Sequence, residues 1–494
     1  MKKICYFNST ILIILLVNSF CIAEEAVDLT EPMKQSLVFL EISNSAYDLY
    51  QPWKRTPTSK ESGFGCAVGP YHVLTTAENV MNATLVQARR YGQNEYISAT
   101  VETVDYELNL CLLKLDQSTM ESPLTPLSFT ESFPKNKQLT TYWLSSGNHL
   151  TTARSTLDRA EMQNSNVSFA QNLIYFATNV SRPFGDGEVF CDQDKIIGMA
   201  CWGTDSDSGV IPSETINRFL THCREESYDG FGTAGFETYA LLDPVMRSYL
   251  KMPEDLRYGV YISTVYTMGT GSVELKQTDV LLSLDGKTLN PYGRYDHPEY
   301  DRISFNHIFA QTPSGEKIPA EVFRDGKKIQ LELTSRSIKS DKMLVPYYQY
   351  GKQPEYMVLG GFVFQQLSRD YLMLWGNDFS GKVPPNLYTY YRRDSFMPTP
   401  QRQDIVILSY VLPIQTNQGY QQLSRIVVDS INGKKIASMK DISAALNETP
   451  ESGLIEVSFE MDNPIVAIPK DKLILANAQA SQLYGIPKME NIKE

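Results

Sequence analysis

The side chains able to do hydrolytic chemistry in this chain are few, and their placement does not match that chemistry. Cleavage through a nucleophile needs a hydroxyl or thiol beside an imidazole, and a buried carboxylate to hold the imidazole in the right tautomer. There are five histidines, His72, His149, His222, His297 and His307, and none stands in a phrase that sets a general base beside a nucleophile. His72, on the strand entering the loop at 75–80, reads as a strand or surface residue. Glu78 and Asp186 could work as an acidic pair if both faced one cleft, but no motif supports that use. The cysteine spacings do not form a zinc pattern.

The elements that would position such residues are clearer than the residues themselves. Gly63-Phe64-Gly65-Cys66-Ala67-Val68 and Tyr71-His72-Val73-Leu74 read as two apolar strands around a Gly69-Pro70 turn, delivering the loop Thr75-Thr76-Ala77-Glu78-Asn79-Val80. Strand-like runs continue over residues 82–92 and 96–104 and through Asn109-Leu110-Cys111-Leu112-Leu113-Lys114-Leu115. Farther on, Leu173-Ile174-Tyr175-Phe176-Ala177-Thr178 precedes the loop Arg182-Pro183-Phe184-Gly185-Asp186-Gly187-Glu188, and Lys195-Ile196-Ile197-Gly198-Met199-Ala200 completes a hairpin.

In order and spacing these phrases resemble the HtrA/Deg serine proteases, most closely the plant-type Deg branch and its bacterial relatives. That family carries Thr-Asn-Ala-His-Val-Val, Asp-Leu-Ala-Leu-Leu and Pro-Gly-Asn-Ser-Gly-Gly-Pro in the three catalytic slots. Here the histidine position is Glu78 and the aspartate position is Asn109. The serine position is Asp186 in a gapless match, or Gly185 if Val189-Phe190 is aligned to the residues after the family proline. Asp205-Ser206-Asp207-Ser208-Gly209 mimics a nucleophile phrase but runs into Val210-Ile211-Pro212-Ser213, which matches a later strand of the family, so Ser208 reads as a solvated turn residue. A solvated carboxylate with a pKa near ~4.3 is a weak base for an alcohol. Loss of the nucleophile or the histidine alone costs roughly 10⁶ in turnover, and further losses add little. The resemblance therefore implies a protease body with no catalytic residues, degenerate at Glu78, Asn109 and Asp186 or Gly185. An active serine endopeptidase with a displaced triad is the alternative.

At 494 residues the chain is long enough for about three domains. A formal charge of -12 without basic blocks argues against a nucleic-acid partner. Lys2-Lys3, the apolar run Ile11 through Val17 and Cys21-Ile22-Ala23 before Glu24-Glu25 have the order of a secretory signal peptide, cleaved after Ala23, and the run is too short to span a bilayer. An exported, periplasmic or secreted chain is expected, with no stable membrane span. Cys66, Cys111, Cys191, Cys201 and Cys223 then remain, an odd number; the first two and Cys201 lie on apolar strands and read as buried free thiols.

After a short helix over residues 215–223 and a polar linker over 224–232, two further units follow. Ala234-Gly235-Phe236-Glu237, a helical stretch over 245–251, and Asp279-Val280-Leu281-Leu282-Ser283-Leu284-Asp285-Gly286 resemble a PDZ domain, with hairpin signals at Asp285-Gly286 and Asp325-Gly326 and an insertion over 290–301. Leu359-Gly360-Gly361-Phe362 and Ile426-Val427-Val428-Asp429-Ser430-Ile431-Asn432-Gly433 repeat the pattern around an aromatic insertion over 371–403, before a terminal helix over 471–484. The expected architecture is mainly β: a signal peptide (1–23), a chymotrypsin-like double β-barrel (24–225), and two PDZ-like domains, β-sandwiches with short helices (230–338 and 339–494). In a PDZ fold a Gly-containing loop offers backbone N–H groups to a terminal carboxylate while the peptide adds a strand to the sheet edge. The two Gly-containing phrases are thus the expected peptide-binding residues. The partners implied are unfolded segments or peptide C-termini, and a trimer-based homo-oligomer or a hetero-oligomer with an active paralogue. The functions implied are those of a chaperone, adaptor or regulatory subunit in extracytoplasmic protein quality control; no cofactor or metal is implied.

Overall fold

The computed structural model describes residues 29–179, 182–376, 378–447, 451–461 and 464–493; the segment read as a signal peptide lies outside the described residues. Strands β1 (Leu37–Asn44), β2 (Ser59–Gly69), β3 (His72–Thr75), β4 (Ala83–Arg90), β5 (Ile97–Asp105) and β6 (Leu110–Leu115) close into one barrel in the order β1-β2-β3-β6-β5-β4. Strands β7 (Gln138–Leu144), β8 (Leu150–Asn164), β9 (Gln171–Asn179), β10 (Val189–Asp192), β11 (Lys195–Gly203) and β12 (Asp207–Pro212) close a second, ordered β10-β11-β12-β9-β8-β7.

The near-continuous apolar runs of the first barrel follow from this pairing of barrels. Successive side chains of a strand point to opposite faces. On β1, Val38, Leu40 and Ile42 fill the first barrel with Val73, Val86, Leu113 and Leu115. Their neighbours Leu37 and Phe39 join Phe64, Leu74, Leu110 and Leu112 in a larger core shared with the second barrel. Both faces of β1, β3 and β6 are therefore buried, and the loops leaving β3 and entering β6 are held where the barrels meet. Cys66, Cys111, Cys191, Cys201 and Cys223 are all buried free thiols.

A third sheet follows the helix Ser213–His222, which starts two residues before the span expected for it. Its strands are β13 (Phe236–Tyr239), β14 (Val260–Val265), β15 (Val280–Leu284) with the short β16 (Lys287–Thr288), the separate hairpin β17 (Arg294–His297) and β18 (Asp301–Ser304), then β19 (Lys317–Arg324) and β20 (Lys327–Thr334). The order is β13-β14-β15-β19-β20. Asp285-Gly286 and Asp325-Gly326 make the tight turns, all four residues having positive φ. The insertion expected over 290–301 contributes to the β17–β18 hairpin and folds back on the second barrel, where the Tyr300 hydroxyl lies 3.0 Å from that of Tyr175 and donates to Glu214 at 3.1 Å.

The fourth sheet repeats this order and adds to it. It comprises β21 (Tyr356–Leu359), β22 (Phe362–Gln366), β23 (Val406–Val411), β24 (Ile426–Ile431) with β25 (Lys434–Lys435), β26 (Leu454–Phe459), β27 (Val466–Pro469) and β28 (Glu490–Asn491). Strands β22-β23-β24-β26-β27 repeat β13-β14-β15-β19-β20, but β21 and then β28 extend the sheet beyond β22. The loop between β1 and β2 reaches this unit directly. The Trp53 indole donates to the Tyr484 carbonyl at 3.3 Å and packs on Tyr356 with centroids 5.7 Å apart. Gln365 and Gln353 donate to the carbonyls of Leu49 and Pro52, each at 3.0 Å.

Trp53 thus pins a loop of the first barrel to the last sheet. Trp53→Ala should lower the unfolding free energy by about 3 kcal/mol, the usual loss for a buried aromatic. In urea unfolding followed by tryptophan fluorescence, the transition should move to lower urea and separate into two phases.

Candidate functional site

The loop after β3 is tied before any functional side chain is considered. Thr75 Oγ1 donates to the Phe64 carbonyl at 2.7 Å, and Asn79 Nδ2 donates both to Thr75 Oγ1 and to the Asp186 carbonyl, each at 2.9 Å. The Phe64 N–H also donates to the Asp186 carbonyl at 2.8 Å. Asn79 therefore staples the loop carrying Glu78 to the turn carrying Gly185 and Asp186. Asn109 stands just before β6 in the left-handed region, at φ 56°, where asparagine is tolerated better than most residues. Its Oδ1 accepts the Glu78 N–H at 2.9 Å.

These links bring Glu78, Asn109 and Asp186 to one place between the barrels. Burial pushes the Glu78 carboxyl above its ordinary range, the nearby Asp186 carboxylate pushes it further, and the Asn109 amide partly offsets both. Burial also raises Asp186, opposed by Arg182. Asp186 thus disfavours the charged form of Glu78, and neither acid has an imidazole to work with. The polar contacts of the histidines lie elsewhere, as with His72 against Glu102 at 3.3 Å and His307 against Tyr295 at 2.6 Å. Ser208 is not a solvated turn residue: it lies on β12, fully buried, and its Oγ accepts the Phe184 N–H at 3.0 Å. The hydroxyl is committed to a backbone N–H because the loop before β10 packs directly over β12.

The backbone of the 183–187 turn is occupied from within. Glu188 is fully buried, and one carboxylate oxygen accepts the N–H of Gly185 at 3.0 Å and of Asp186 at 2.9 Å. The other takes a 2.6 Å hydrogen bond from Arg182, whose guanidinium stacks over Trp143 at 4.4 Å. Burial raises the Glu188 carboxyl, while its backbone partners and Arg182 pull it back down. Pro183 has no N–H to offer, and that of Phe184 is spent on Ser208. Stabilising an oxyanion requires preorganised donors aimed at the reacting carbonyl; from 183 to 186 each N–H already has an acceptor. A Cβ on Gly185 would stand 2.7 Å from the backbone of Trp202 and Gly203, so the turn in this shape has no room for a serine there. The space beside Asn109, Cys201 and Trp202 amounts to about 20 Å³, enough for a water molecule at most.

The two Gly-containing phrases of the later sheets are placed differently from each other. Ala234 bridges Thr270, and the N–H groups of Gly232, Thr233 and Gly235 donate to the carbonyls of Thr312, Arg336 and Thr270 at 2.9, 3.0 and 2.8 Å. Phe236 stacks on Phe305, and Glu237 faces Arg392 at 3.7 Å. Beyond β13 no further strand is paired among the described residues. Leu359-Gly360-Gly361-Phe362, by contrast, is the turn of the β21–β22 hairpin, with Gly360 and Gly361 at φ 58° and 84°. The Gly360 N–H donates to Asn477 of the terminal helix at 2.7 Å, and the Gly361 carbonyl accepts from Leu412 at 2.8 Å. An open carboxylate loop was expected there; the edge of β22 is instead filled by β21, because the preceding chain turns back on itself through the two glycines. Among the described residues no group of three or more His, Cys, Asp or Glu could hold a metal ion.

Glu188 was not singled out in the sequence. The signal that could have found it is an acid in a glycine or proline position of the family phrase, just before an apolar strand, with Arg182 six residues upstream as its counter-ion.

Comparison with known proteins finds several similar chains. A family model for PDZ domains matches residues 345–490. The putative mitochondrial protease Do-like 12 of Arabidopsis thaliana is 23% identical over 473 residues, covering 94% of this chain and 86% of its own. The putative mitochondrial protease Do-like 3 of the same plant is 26% identical over 86% of this chain and 74% of its own, and the chloroplastic protease Do-like 2 is 25% identical over 92% and 74%. Among solved structures, the HtrA-type protease AlgW with a decapeptide aligns with 63% of this chain and all of its own at 16% identity and a TM-score of 0.47.

Substitutions at two positions test the electrostatics. Glu188→Ala should cost about 3 kcal/mol, the loss expected when a buried ion pair is broken, and Glu188→Gln less, because an acceptor remains for the two N–H groups; urea unfolding midpoints measure both. For Glu78 the folded carboxyl titrates above its unfolded value, so stability is complete below pH ~4.5 and lost as pH rises through the folded pKa. Glu78→Gln should therefore stabilise the protein at pH 7.5 by on the order of 0.5 kcal/mol, typical of a partly solvated charge pair, and leave it unchanged at pH 4.

Proposed function

Taking the chain as a homologue of the Deg/HtrA proteases with a carboxy-terminal PDZ domain, we propose that it is a non-hydrolytic member of that group which binds extended or unfolded polypeptide. The observation that carries this reading is the Glu188 carboxylate seated on the N–H groups of Gly185 and Asp186. The remaining supports agree with it: Glu78, Asn109 and Gly185 or Asp186 hold the positions that hydrolysis would use, and neither an imidazole nor a hydroxyl is among them. Losing the nucleophile or the base removes roughly six orders of magnitude in turnover, so what persists is binding.

The binding surface on this reading is the first PDZ-like unit, where Ala234-Gly235-Phe236-Glu237 leads into an unpaired edge strand. The second unit, with β21 and β28 on its edge, acts as a structural partner of the first barrel. The chain serves as a holdase-like chaperone, an adaptor or a regulatory subunit, in a homo-oligomer built on trimers or together with an active paralogue. Its leader-like amino terminus directs it out of the cytoplasm. Among the described residues no helix is long and apolar enough to cross a membrane.

Two measurements on the purified mature chain test this. Labelled casein should remain intact, and Gly185→Ser should not restore cleavage, since the backbone leaves no room for the side chain. At equimolar ratio the protein should slow aggregation of a thermally unfolded client. Cleavage abolished by a serine-directed phosphonate would establish a displaced triad, and an unaltered aggregation rate would remove the chaperone role.

A further inference from the structure

A cavity of about 540 Å³ lies where the first PDZ-like unit, both barrels and the aromatic insertion meet. Its size is in the roughly 300–1,000 Å³ range of ligand sites. One wall is the start of β13 with Ala234 and Phe236, and another is the helix Asn306–Gln311, through Phe309 and Ala310. Phe169, on the loop joining β8 and β9, and Tyr391 and Phe396 of the insertion add to an aromatic lining. Phe169 and Phe396 meet edge to face at 5.6 Å, and Phe396 stacks on Tyr266 at 5.1 Å, so parts of three domains shape one site.

Resting on the peptide-binding reading above, we infer that this cavity takes a bulky aromatic side chain from the interior of an extended polypeptide, and does not depend on a free carboxy terminus. Three observations lead there. The N–H groups of Gly232, Thr233 and Gly235, at the foot of the cavity, already donate to carbonyls of the protein, so the loop is poorly supplied with donors for a carboxylate. The charged side chains lining the cavity among the described residues are Glu107 and Arg392. Arg392 faces Glu237 at 3.7 Å, and Glu107 accepts a hydrogen bond from Tyr348 at 2.6 Å; a terminal carboxylate would meet one cation with an acid beside it and a second acid opposite. What the site offers freely is an unpaired β edge and an aromatic box. An edge strand supplies main-chain hydrogen bonds to any extended segment whatever its ends. A box of ring faces and edges favours another ring, by an estimated ~0.5–1.5 kcal/mol per pair beyond area burial. The occupant is an internal strand with an aromatic residue and neutral or basic flanks.

The test uses the full mature chain and fluorescein-labelled decapeptides with neutral flanks, read by fluorescence polarisation. The central residue is Phe, Leu or Ala, each peptide made as the free acid and as the amide. The Phe peptides should bind with Kd values within about twofold of each other as acid and amide, and the Ala peptides at least about tenfold more weakly, a difference of ~1.4 kcal/mol. Ala310→Trp, which fills the cavity, should weaken Phe-peptide binding about tenfold. Phe169→Ala, on the barrel side and outside the PDZ-like fold, should weaken it severalfold and so covers the case in which Ala310→Trp misfolds. Binding that requires the free acid, or that ignores the central residue, overturns the inference and leaves the peptide-binding function standing. Binding of no peptide in the series overturns both.

Discussion

A buried carboxylate fixes the shape of the turn on which the whole reading depends. Glu188 is removed from solvent, and it can stay there because two backbone N–H groups and the Arg182 guanidinium meet its oxygens. The same contacts consume the N–H donors of Gly185 and Asp186. Arg182 is in turn held by the Trp143 ring, Phe184 by Ser208, and the Asp186 carbonyl by Phe64 and Asn79, so the turn is clamped from both barrels. A catalytic loop of this kind needs donors that are fixed yet unsatisfied until substrate arrives. Here they are fixed and satisfied.

The loop around Glu78 is held in place by neutral hydrogen bonds. Asn109 accepts the Glu78 N–H with a neutral oxygen, which keeps the two loops in register without needing a charge. That matters because burial and the Asp186 carboxylate already raise the Glu78 carboxyl, and an acid in place of Asn109 would add a third acidic group to a half-buried cluster. The asparagine is thus the replacement that lets a glutamate stand next to it.

What was legible in the sequence follows from the range of the interactions. The apolar runs from Gly63 to Leu115 place Glu78 and Asn109 because strand pairing fixes register, and a one-residue slip would exchange the side chains of the two cores. The Asp-Gly turns at 285–286 and 325–326 announce themselves through left-handed backbone preference. Ser208 was misjudged because a short polar run looks like a turn until the loop that covers it, twenty-four residues earlier, is in place. The Gly360-Gly361 phrase looks the same as a binding loop or as a hairpin turn, and only the pairing of β21 with β22 decides between them. The tie from Trp53 to Tyr484 spans most of the chain, and nothing local in either residue reveals it. Glu188 belongs with these: its partners are nearby in sequence, but its burial is a property of the assembled barrel.

The central claim is that the turn holds an internal carboxylate and offers no activated hydroxyl. Incubation of the full mature chain with an excess of a fluorophosphonate, followed by intact-mass measurement, tests it most directly. The account predicts a mass unchanged by the reagent at pH 8, with a Deg-type protease labelled stoichiometrically in the same experiment. A single stoichiometric adduct on this chain, mapped to any serine, would contradict it.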